Sequence, residues 1–323
     1  EGSHGGDAQR SIKKKEDGKE MSTLASEYVG RGISSTAAAS LLHIPRCTLY
    51  RTPVQSPSRK GRRYSEITLR RTGNGAFVYL SNGQVVEEMK ELLSREFVCY
   101  GYKKVAKHLQ REGFVINRKK VRRLMAWNGL LNHSYNRRSP VSRVVESKVI
   151  VSAPNQVWEV DIKYVWIAGE ERNAYFLGFI DCFTREAVKH YFGFHCNGGD
   201  VRETMFHAFH DRGIGEIGNM RIRNDNGTQL VCNTVEEFLA MMNIGHERIH
   251  PQTPKEDAHI ESFNSILERE VIRRFEFESF GDAEATINRF VAFYNSERIH
   301  SAIGYVTPRE MYQKWKVKCT EIA

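Results

Sequence analysis

Residues 157–166 constrain the fold more than any other segment, because their side chains alternate with the two-residue period of a β-strand. One side of this predicted strand carries Trp158, Val160, Ile162, Tyr164 and Trp166, and the other carries Val157, Glu159, Asp161 and Lys163. Two further strands are predicted at residues 174–180 and 187–194, and helices then alternate with short strands before a helical end. This order predicts an α/β core with a mixed sheet and helices on its faces.

The charge of the chain is divided unequally between its two halves. Residues 1–150 hold 29 lysines and arginines against 13 aspartates and glutamates, a net charge of +16. Residues 151–323 hold 19 against 26, a net charge of −7. A basic half joined to an acidic half favours a module that binds a polyanion, tethered to a domain with another task. A solvated lysine-rich surface is the alternative that charge alone leaves open.

Composition shifts divide the chain into seven predicted segments. They are a disordered tail (1–20), a first helix-turn-helix (21–52), a basic linker with a hairpin signal at Asn82-Gly83 (53–84), a second helix-turn-helix (85–131), a basic connector (132–155), the core (156–316) and a short tail (317–323). No segment approaches the roughly eighteen consecutive apolar residues of a membrane helix. Six dispersed cysteines without a Cys-x-x-Cys pair favour free thiols, so we expect a cytoplasmic protein.

Both predicted helix-turn-helix units end in a helix with basic side chains. In the second unit, five cations within residues 118–123 would repel one another on a merely solvated face, which favours contact with nucleic acid. For the first unit, an ordinary helical hairpin remains the alternative. Duplex DNA is predicted to be contacted by Arg46, Thr48, Arg51, Lys103, Lys104, Arg118, Lys119, Lys120, Arg122, Arg123, Arg137, Arg138 and Lys255.

Three carboxylates are candidates for a metal site in the second half. Asp161 lies mid-strand on the polar side, Asp225 follows a short strand, and Glu261 lies in the first turns of a predicted helix, with 35 residues between Asp225 and Glu261. Mg²⁺ and Mn²⁺ prefer hard oxygen ligands, and carboxylates from separate elements hold two such ions about 4 Å apart in phosphoryl-transfer sites. Spacing alone does not select these three from other acids of this half, such as Asp181, Asp200, Asp211, Asp257, Glu268 and Glu270.

The sequence around these carboxylates resembles the integrase-core transposases. Residues 155–164 (NQVWEVDIKY) resemble the first acidic motif of that family, residues 224–229 (NDNGTQ) the second and residues 257–264 (DAHIESFN) the third. Residues 294–308 resemble the end of the same core, and residues 100–125 resemble the helix-turn-helix that precedes it. Together these motifs indicate a bacterial insertion-sequence transposase, similar to the second-reading-frame protein of the insertion-sequence-three family.

This resemblance implies a ribonuclease-H-like, retroviral-integrase-like core in which Asp161, Asp225 and Glu261 are the catalytic and metal-binding residues. It implies a DNA transposase that binds terminal inverted repeats and uses Mg²⁺ or Mn²⁺, with two ions per active site. Such an enzyme cleaves DNA to a 3′-hydroxyl and transfers the strand without a covalent enzyme intermediate. The implied partners are transposon ends, target DNA and further copies of the chain, in a dimer or a larger synaptic complex at the bacterial nucleoid.

The chain departs from the family pattern at two points. Many members carry a lysine or arginine seven residues after the glutamate, where this chain has Glu268, so the contact to the DNA end falls to Arg269 or to another residue. The N-terminal leucine zipper of many active members has no matching heptad run here. Two alternative functions are a catalytically silent DNA-binding regulator, which the intact carboxylates disfavour, and a ribonuclease-H-type nuclease, which the two helix-turn-helix units disfavour.

Overall fold

The computed structural model describes residues 21–46 except 22, 65–132, 151–214, 220–248 except 226, and 258–322. The chain divides into an N-terminal unit, Glu1–Ser65, and a C-terminal unit, Glu66–Ala323. The predicted disordered tail (1–20), residues 53–64 of the first basic linker and residues 133–150 of the basic connector lie outside the described residues. The core and its sheet therefore belong to the C-terminal unit.

In the described part of the N-terminal unit there are two short helices, residues 23–30 (α1) and Ser35–Leu41 (α2). Ser34 begins α2, because its side-chain oxygen accepts a hydrogen bond from the backbone amide of Ala37 at 3.2 Å. This bond satisfies one of the amides that a helix start leaves without a partner. The two helices correspond to the start of the first predicted helix-turn-helix, whose predicted basic final helix extends beyond the described residues.

The C-terminal unit opens with a β-hairpin against which three helices pack. Its elements are β1 (Ile67–Arg71), β2 (Phe77–Ser81), α3 (Asn82–Ser94), α4 (Tyr102–Arg111), β3 (Phe114–Val115) and α5 (Arg118–Trp127). The strands form an antiparallel sheet in the order β2-β1-β3. Buried residues of all three helices, among them Met89, Leu109 and Met125, form one apolar cluster. The second predicted helix-turn-helix is thus a helical unit carried on a small sheet.

The hairpin signal at Asn82-Gly83 was wrong, because these two residues open α3. Ser81 accepts a hydrogen bond from the amide of Gln84, and the Gln84 side chain accepts one from the amide of Ser81. This reciprocal capping box favours a helix start over a turn. The hairpin of β1 and β2 instead turns at residues 72–76.

The core is a five-stranded mixed sheet with helices on both faces, as predicted. Its strands are β4 (Val157–Ile167), β5 (Arg172–Asp181), β6 (Ala187–Gly193), β7 (Arg221–Asn224) and β8 (Gly245–Arg248). Their order is β6-β5-β4-β7-β8, with β4, β5 and β6 antiparallel and with β7 and β8 parallel to β4. The helices are α6 (Gly198–Arg212), α7 (Asn233–Met241), α8 (Ala258–Leu267), α9 (Phe280–Ser296) and α10 (Pro308–Ile322).

The alternation of β4 separates the two layers of the core. Trp158 and Val160 belong to a cluster with apolar residues of α6 and α7. On the opposite face, Val165 and Ile167 belong to a cluster with apolar residues of α8 and α9. The side of β4 that carries Asp161 therefore faces α8, so its carboxyl groups lie under a helix rather than in open solvent.

Most of the predicted short tail (317–323) is helical. Residues 317–322 continue α10, and no glycine or proline interrupts the sequence after Pro308. Proline suits the first turn of a helix, where its missing amide hydrogen is not needed. In the part of the chain that the structure describes, no helix combines the length and the apolar character needed to cross a membrane.

Candidate active site

Asp161 lies in the middle of β4, the central strand of the core sheet, and is half-buried. Its Oδ2 accepts a hydrogen bond from Nδ2 of Asn264 in α8 at 2.7 Å. Its Oδ1 accepts one from the backbone amide of Ile162 at 2.8 Å. The strand and the helix together hold this carboxylate in one orientation.

Asp225 is brought beside Asp161 by the register of two parallel strands. β4 and β7 pair with Val160 opposite Asn224, so the next residues along the two strands are Asp161 and Asp225. Asp225 is exposed, and its Oδ1 accepts a hydrogen bond from the amide of Gly227 at 2.9 Å. Two acids that are distant in sequence thus become neighbours at the end of β7.

The electrostatics of Asp161 reflect this environment. Burial is the largest cause that raises the pKa of Asp161 to about 6, and the charge of Asp225 acts in the same direction. The hydrogen bonds from Ile162 and Asn264 and the charge of Lys163 act against the rise. A carboxylate whose ionised form is disfavoured in this way is stabilised by a cation placed beside it.

Glu261 lies in the first turn of α8 and is exposed. It precedes Asn264 by three residues, and residues three apart are neighbours on the surface of a helix. The hydrogen bond between Asn264 and Asp161 therefore docks the part of α8 that carries Glu261. The structure places Asp161 and Asp225 side by side, with Glu261 on the helix that packs over them.

A buried carboxylate that the sequence analysis did not select lies next to this site. Glu159 is 1% exposed, and its Oε2 accepts hydrogen bonds from the backbone amides of His259 at 2.9 Å and Ile260 at 2.8 Å. Its Oε1 accepts one from the thiol of Cys182 at 3.3 Å and lies 3.7 Å from Nη1 of Arg223. Burial raises the pKa of Glu159, although these four partners act to lower it. The sequence signal was its two-residue spacing from Asp161, on the same side of the strand.

Among the residues that the structure describes, one set of three potential metal-ligand atoms lies within 4.8 Å of one another, from Glu159, Cys182 and His259. Asp161, Asp225 and Glu261, all within the described residues, do not form such a set. In the closer set, the oxygens of Glu159 already accept hydrogen bonds from two amides and a thiol. We therefore interpret Glu159 as a hydrogen-bonding centre, and the three predicted carboxylates as the candidate metal ligands.

Glu268, seven residues after Glu261, is paired with a cation from β4. Nζ of Lys163 lies 3.0 Å from its Oε2, and Nε of Arg273 lies 2.9 Å from its Oε1. The positive charge near the carboxylates therefore comes from Lys163 on β4. In the family pattern it comes from the helix, seven residues after the glutamate. Arg269, the predicted substitute, is exposed, and its Nη2 lies 3.0 Å from Oε1 of Glu270.

The cations of α5 divide into an exposed set and a packed set. The exposed set is Arg118, Lys119 and Arg122. Arg123 is half-buried, with its guanidinium 5.3 Å from the ring centre of Trp127. Lys120 is buried, and its Nζ donates a hydrogen bond to the carbonyl oxygen of Ile67 at 2.9 Å. This corrects the expectation that Lys120 contacts DNA, because its ammonium group already supports β1.

In α4, Lys103 is exposed but Lys104 is packed against Tyr100, with its Nζ 5.1 Å from the ring centre. Burial, followed by the charge of Arg298, lowers the pKa of Lys104 to about 7. The half-buried position of Lys104 against Tyr100 disfavours the predicted contact with DNA. Of the other predicted contacts, Arg46 is exposed, and those outside the described residues are Thr48, Arg51, Arg137, Arg138 and Lys255.

The region that carries α5 is fastened to the core within the C-terminal unit. Phe97 belongs to the same apolar cluster as Phe290 of α9. The backbone amide of Ile299 donates a hydrogen bond to the hydroxyl of Tyr100 at 3.2 Å. The exposed basic face of α5 and the carboxylates of the core therefore belong to one packed body.

Comparisons with protein families match the helical region that contains α5 and the core separately. Residues 82–138 match the HTH-like domain family, beginning with α3. Residues 151–254 and residues 242–308 match two families described as the integrase core domain. These ranges contain β4 to β8 and the helices α6 to α9, and thus all three candidate carboxylates.

Two insertion-element proteins are similar to about two thirds of this chain. The chain is 28% identical over 222 residues to an uncharacterized protein of insertion element IS407 from Burkholderia multivorans, covering 69% of this chain and 78% of that protein. It is 26% identical over 235 residues to the transposase for insertion sequence element IS904 from Lactococcus lactis, covering 69% and 91%. Among solved structures, the catalytic core domain of HTLV-2 integrase in complex with magnesium is 14% identical, with a TM-score of 0.38, covering 50% of this chain and 97% of that chain.

Proposed function

Since the chain joins an HTH-like domain to an integrase core domain and its relatives are insertion-element proteins, we propose that it is a DNA transposase of the insertion-sequence-three type. It binds the terminal inverted repeats of its element, cleaves a strand at each end and joins the end to target DNA. Asp161, Asp225 and Glu261 are its catalytic residues. The observation that carries this proposal is the parallel register that sets Asp161 beside Asp225, under the helix of Glu261.

The donor set suits a hard divalent cation. Three carboxylates offer only oxygen ligands, and burial raises the pKa of Asp161, so a cation beside it would stabilise its ionised form. We propose that Asp161, Asp225 and Glu261 hold two Mg²⁺ or Mn²⁺ ions. When bound, such ions activate a water or a 3′-hydroxyl and stabilise the leaving oxygen of the phosphodiester.

The protein itself contributes orientation and charge. Asn264 donates to one oxygen of Asp161 and the amide of Ile162 to the other, which fixes the plane of the carboxylate. Lys163, two residues further along the same side of β4, places a positive charge near Asp161, and we propose that this charge attracts the DNA backbone. Positioning of this kind supports in-line attack at phosphorus, for which the enzyme needs no covalent intermediate.

DNA binding is assigned to the exposed basic face of α5, formed by Arg118, Lys119 and Arg122. A short basic helix of this kind enters the major groove in helix-turn-helix proteins. Because two transposon ends must be processed together, we propose that the active form is a dimer or a larger complex with DNA. Insertion elements lie in bacterial DNA, so we place this activity in the bacterial cytoplasm.

The test is a joining assay with the full chain and labelled duplexes that end in the terminal repeats of its own element. In Mg²⁺, strand transfer into a second duplex is expected, and EDTA should abolish it. A catalytically silent regulator would bind the repeats without any joining. A ribonuclease-H-type nuclease would instead cut an RNA–DNA hybrid in the same buffer and leave the duplex unjoined. Either of these results would overturn the proposal.

Binding of Mn²⁺ is expected to release protons from the site near pH 6. The pKa of Asp161 is about 6, so in the absence of metal roughly half of the molecules carry a proton there, and the cation must displace it. Because the ionised form gains as pH rises, the Mn²⁺ affinity should increase about tenfold from pH 5 to pH 7. Isothermal titration calorimetry in two buffers of different ionisation enthalpy measures the released protons. Asp161→Asn should lose this release, and an unchanged release would remove Asp161 from the metal site.

Replacement of the three exposed α5 cations by glutamine should weaken binding to terminal repeats and make it less dependent on salt. Each lost phosphate contact lowers the slope of log K against log salt by about 0.9. A matched control replaces Lys314, Lys316 and Lys318 of α10, which removes the same charge from an exposed surface of the core. Fluorescence anisotropy at several salt concentrations compares the two variants. Equal slopes would mean that net charge, rather than the face of α5, determines affinity.

A further inference from the structure

Glu159 lies on the strand of Asp161 and contacts both β7, which Asp225 follows, and α8, which carries Glu261. It lies on β4 two residues before Asp161, and its Oε1 lies 3.7 Å from Nη1 of Arg223, which precedes Asp225 by two residues on β7. Its Oε2 accepts a hydrogen bond from the amide of His259, two residues before Glu261. One buried carboxylate, two residues before Asp161, thus contacts the residues two before Asp225 and two before Glu261.

The contact with α8 has a definite effect on geometry. The amides of a first helical turn have no partner within the helix, and Oε2 of Glu159 accepts from two of them, His259 and Ile260. A carboxylate at this end also interacts favourably with the helix dipole. One turn later, Asp161 binds Asn264. Glu159 and Asp161, neighbours on one side of β4, therefore hold α8 before and after Glu261. The two contacts fix the distance of α8 from the sheet and its rotation about its axis.

We infer that Glu159 is the positioning residue that holds Glu261 in reach of Asp161 and Asp225. This inference rests on the proposed function. Glu159 acts through backbone amides and does not itself touch the substrate. Of the two tethers, the one at Asp161 shares its oxygens with the proposed metal site, whereas the one at Glu159 is fully buried and separate from it. Glu159 therefore keeps α8 docked whatever occupies the carboxylates.

The role depends on reach rather than on charge, and two conservative variants separate these properties. Glu159→Gln removes the negative charge but keeps an oxygen at the same distance from the amides of α8. Glu159→Asp keeps the charge but is one methylene shorter, so its oxygens fall short of α8. A matched control is Glu247→Gln on β8, because Glu247 also pairs with Arg223, at 2.8 Å, and accepts hydrogen bonds from Arg221 and Arg223.

The first readout is hydrogen exchange of the full chain without DNA, followed in the peptide that begins α8. Loss of a hydrogen-bond acceptor in Glu159→Asp should accelerate exchange at the first turn about tenfold. The second readout is Mn²⁺ affinity by calorimetry, which should fall about tenfold in Glu159→Asp, as is typical when a residue that supports metal ligands is lost. Glu159→Gln and Glu247→Gln should stay within about threefold of the parent in both readouts.

The reverse order of the two variants would overturn the inference. If Glu159→Asp retains parent-like exchange and Mn²⁺ affinity while Glu159→Gln loses them, the charge matters, as it would for a metal ligand. If Glu247→Gln matches Glu159→Asp, the effect runs through Arg223 rather than through α8. Failure of the proposed function is recognised separately: the parent chain would then join no DNA in Mg²⁺, while the exchange comparison would still decide whether Glu159 holds α8.

Discussion

Asp225→Asn and Glu261→Gln are each expected to lower DNA joining by about a thousandfold or more, with binding of terminal repeats changed by no more than about twofold. Each substitution keeps the size of the side chain and removes one anionic oxygen ligand. Because we assign DNA binding to α5, a different element from those that carry or precede these two acids, binding should not depend on them. The measurement is single-turnover strand transfer in Mg²⁺ alongside anisotropy with the same labelled end.

Two exposed acids of α6 provide matched controls for this experiment. Asp211→Asn and Glu203→Gln make the same chemical changes on a helix that packs against the opposite face of the sheet from α8. Both controls should join DNA at the parent rate. If Glu261→Gln also joins at that rate, Glu261 is not a catalytic residue, and the contact of Asn264 with Asp161 must have another purpose.

The sequence was sufficient to predict the central strand and the mixed sheet. The alternation of residues 157–166 is a local pattern, so it predicted β4 and the side that carries Asp161. The adjacency of Asp161 and Asp225 is different, because it depends on the register between β4 and β7. Register between distant parallel strands leaves no local periodicity, so only the motif resemblance pointed to this pair.

Side chains whose partners lie far away in sequence were predicted less well. From the sequence, Lys120 and Lys104 were predicted to be surface cations. Their contacts, the carbonyl oxygen of Ile67 for Lys120 and the ring of Tyr100 for Lys104, are visible only in the folded structure. Glu159 was placed on the correct side of β4, but its function depends on where the first turn of α8 comes to rest. Each of these assignments required the packed structure.

A buried ion pair between Glu270 and Arg298 holds the C-terminal end of the α8 region. From the sequence, Glu270 was only one of several acids that spacing could not distinguish. α8 passes into a π-helical segment, Glu268–Ile272, in which Glu270 is 1% exposed. Arg298, after α9, is 3% exposed; its Nε lies 2.7 Å from Oε2 of Glu270, and its Nη2 lies 2.8 Å from Oε1. Burial alone would raise the pKa of Glu270, but the two bonds from Arg298 hold it below the ordinary value. Glu159 and this pair therefore anchor the region at both ends.

Glu270→Ala is expected to lower the free energy of unfolding by about 3–5 kcal/mol, because it leaves the Arg298 guanidinium buried without its partner. The double variant Glu270→Leu with Arg298→Met should recover most of this loss, since an apolar pair carries no desolvation cost. An exposed pair gives the control: Glu87→Ala, which breaks a contact with Lys90, should cost less than about 1 kcal/mol.

The contribution of Glu270 to stability should also depend on pH. Since the folded pKa of Glu270 is depressed, its stabilisation is present above the ordinary glutamate pKa and is lost as pH falls through the lower folded value. Urea unfolding at pH 7 and pH 3 should therefore show a large difference between parent and Glu270→Ala at the higher pH and a smaller one at the lower. An equal difference at both would mean that lost packing, rather than the ion pair, accounts for the effect.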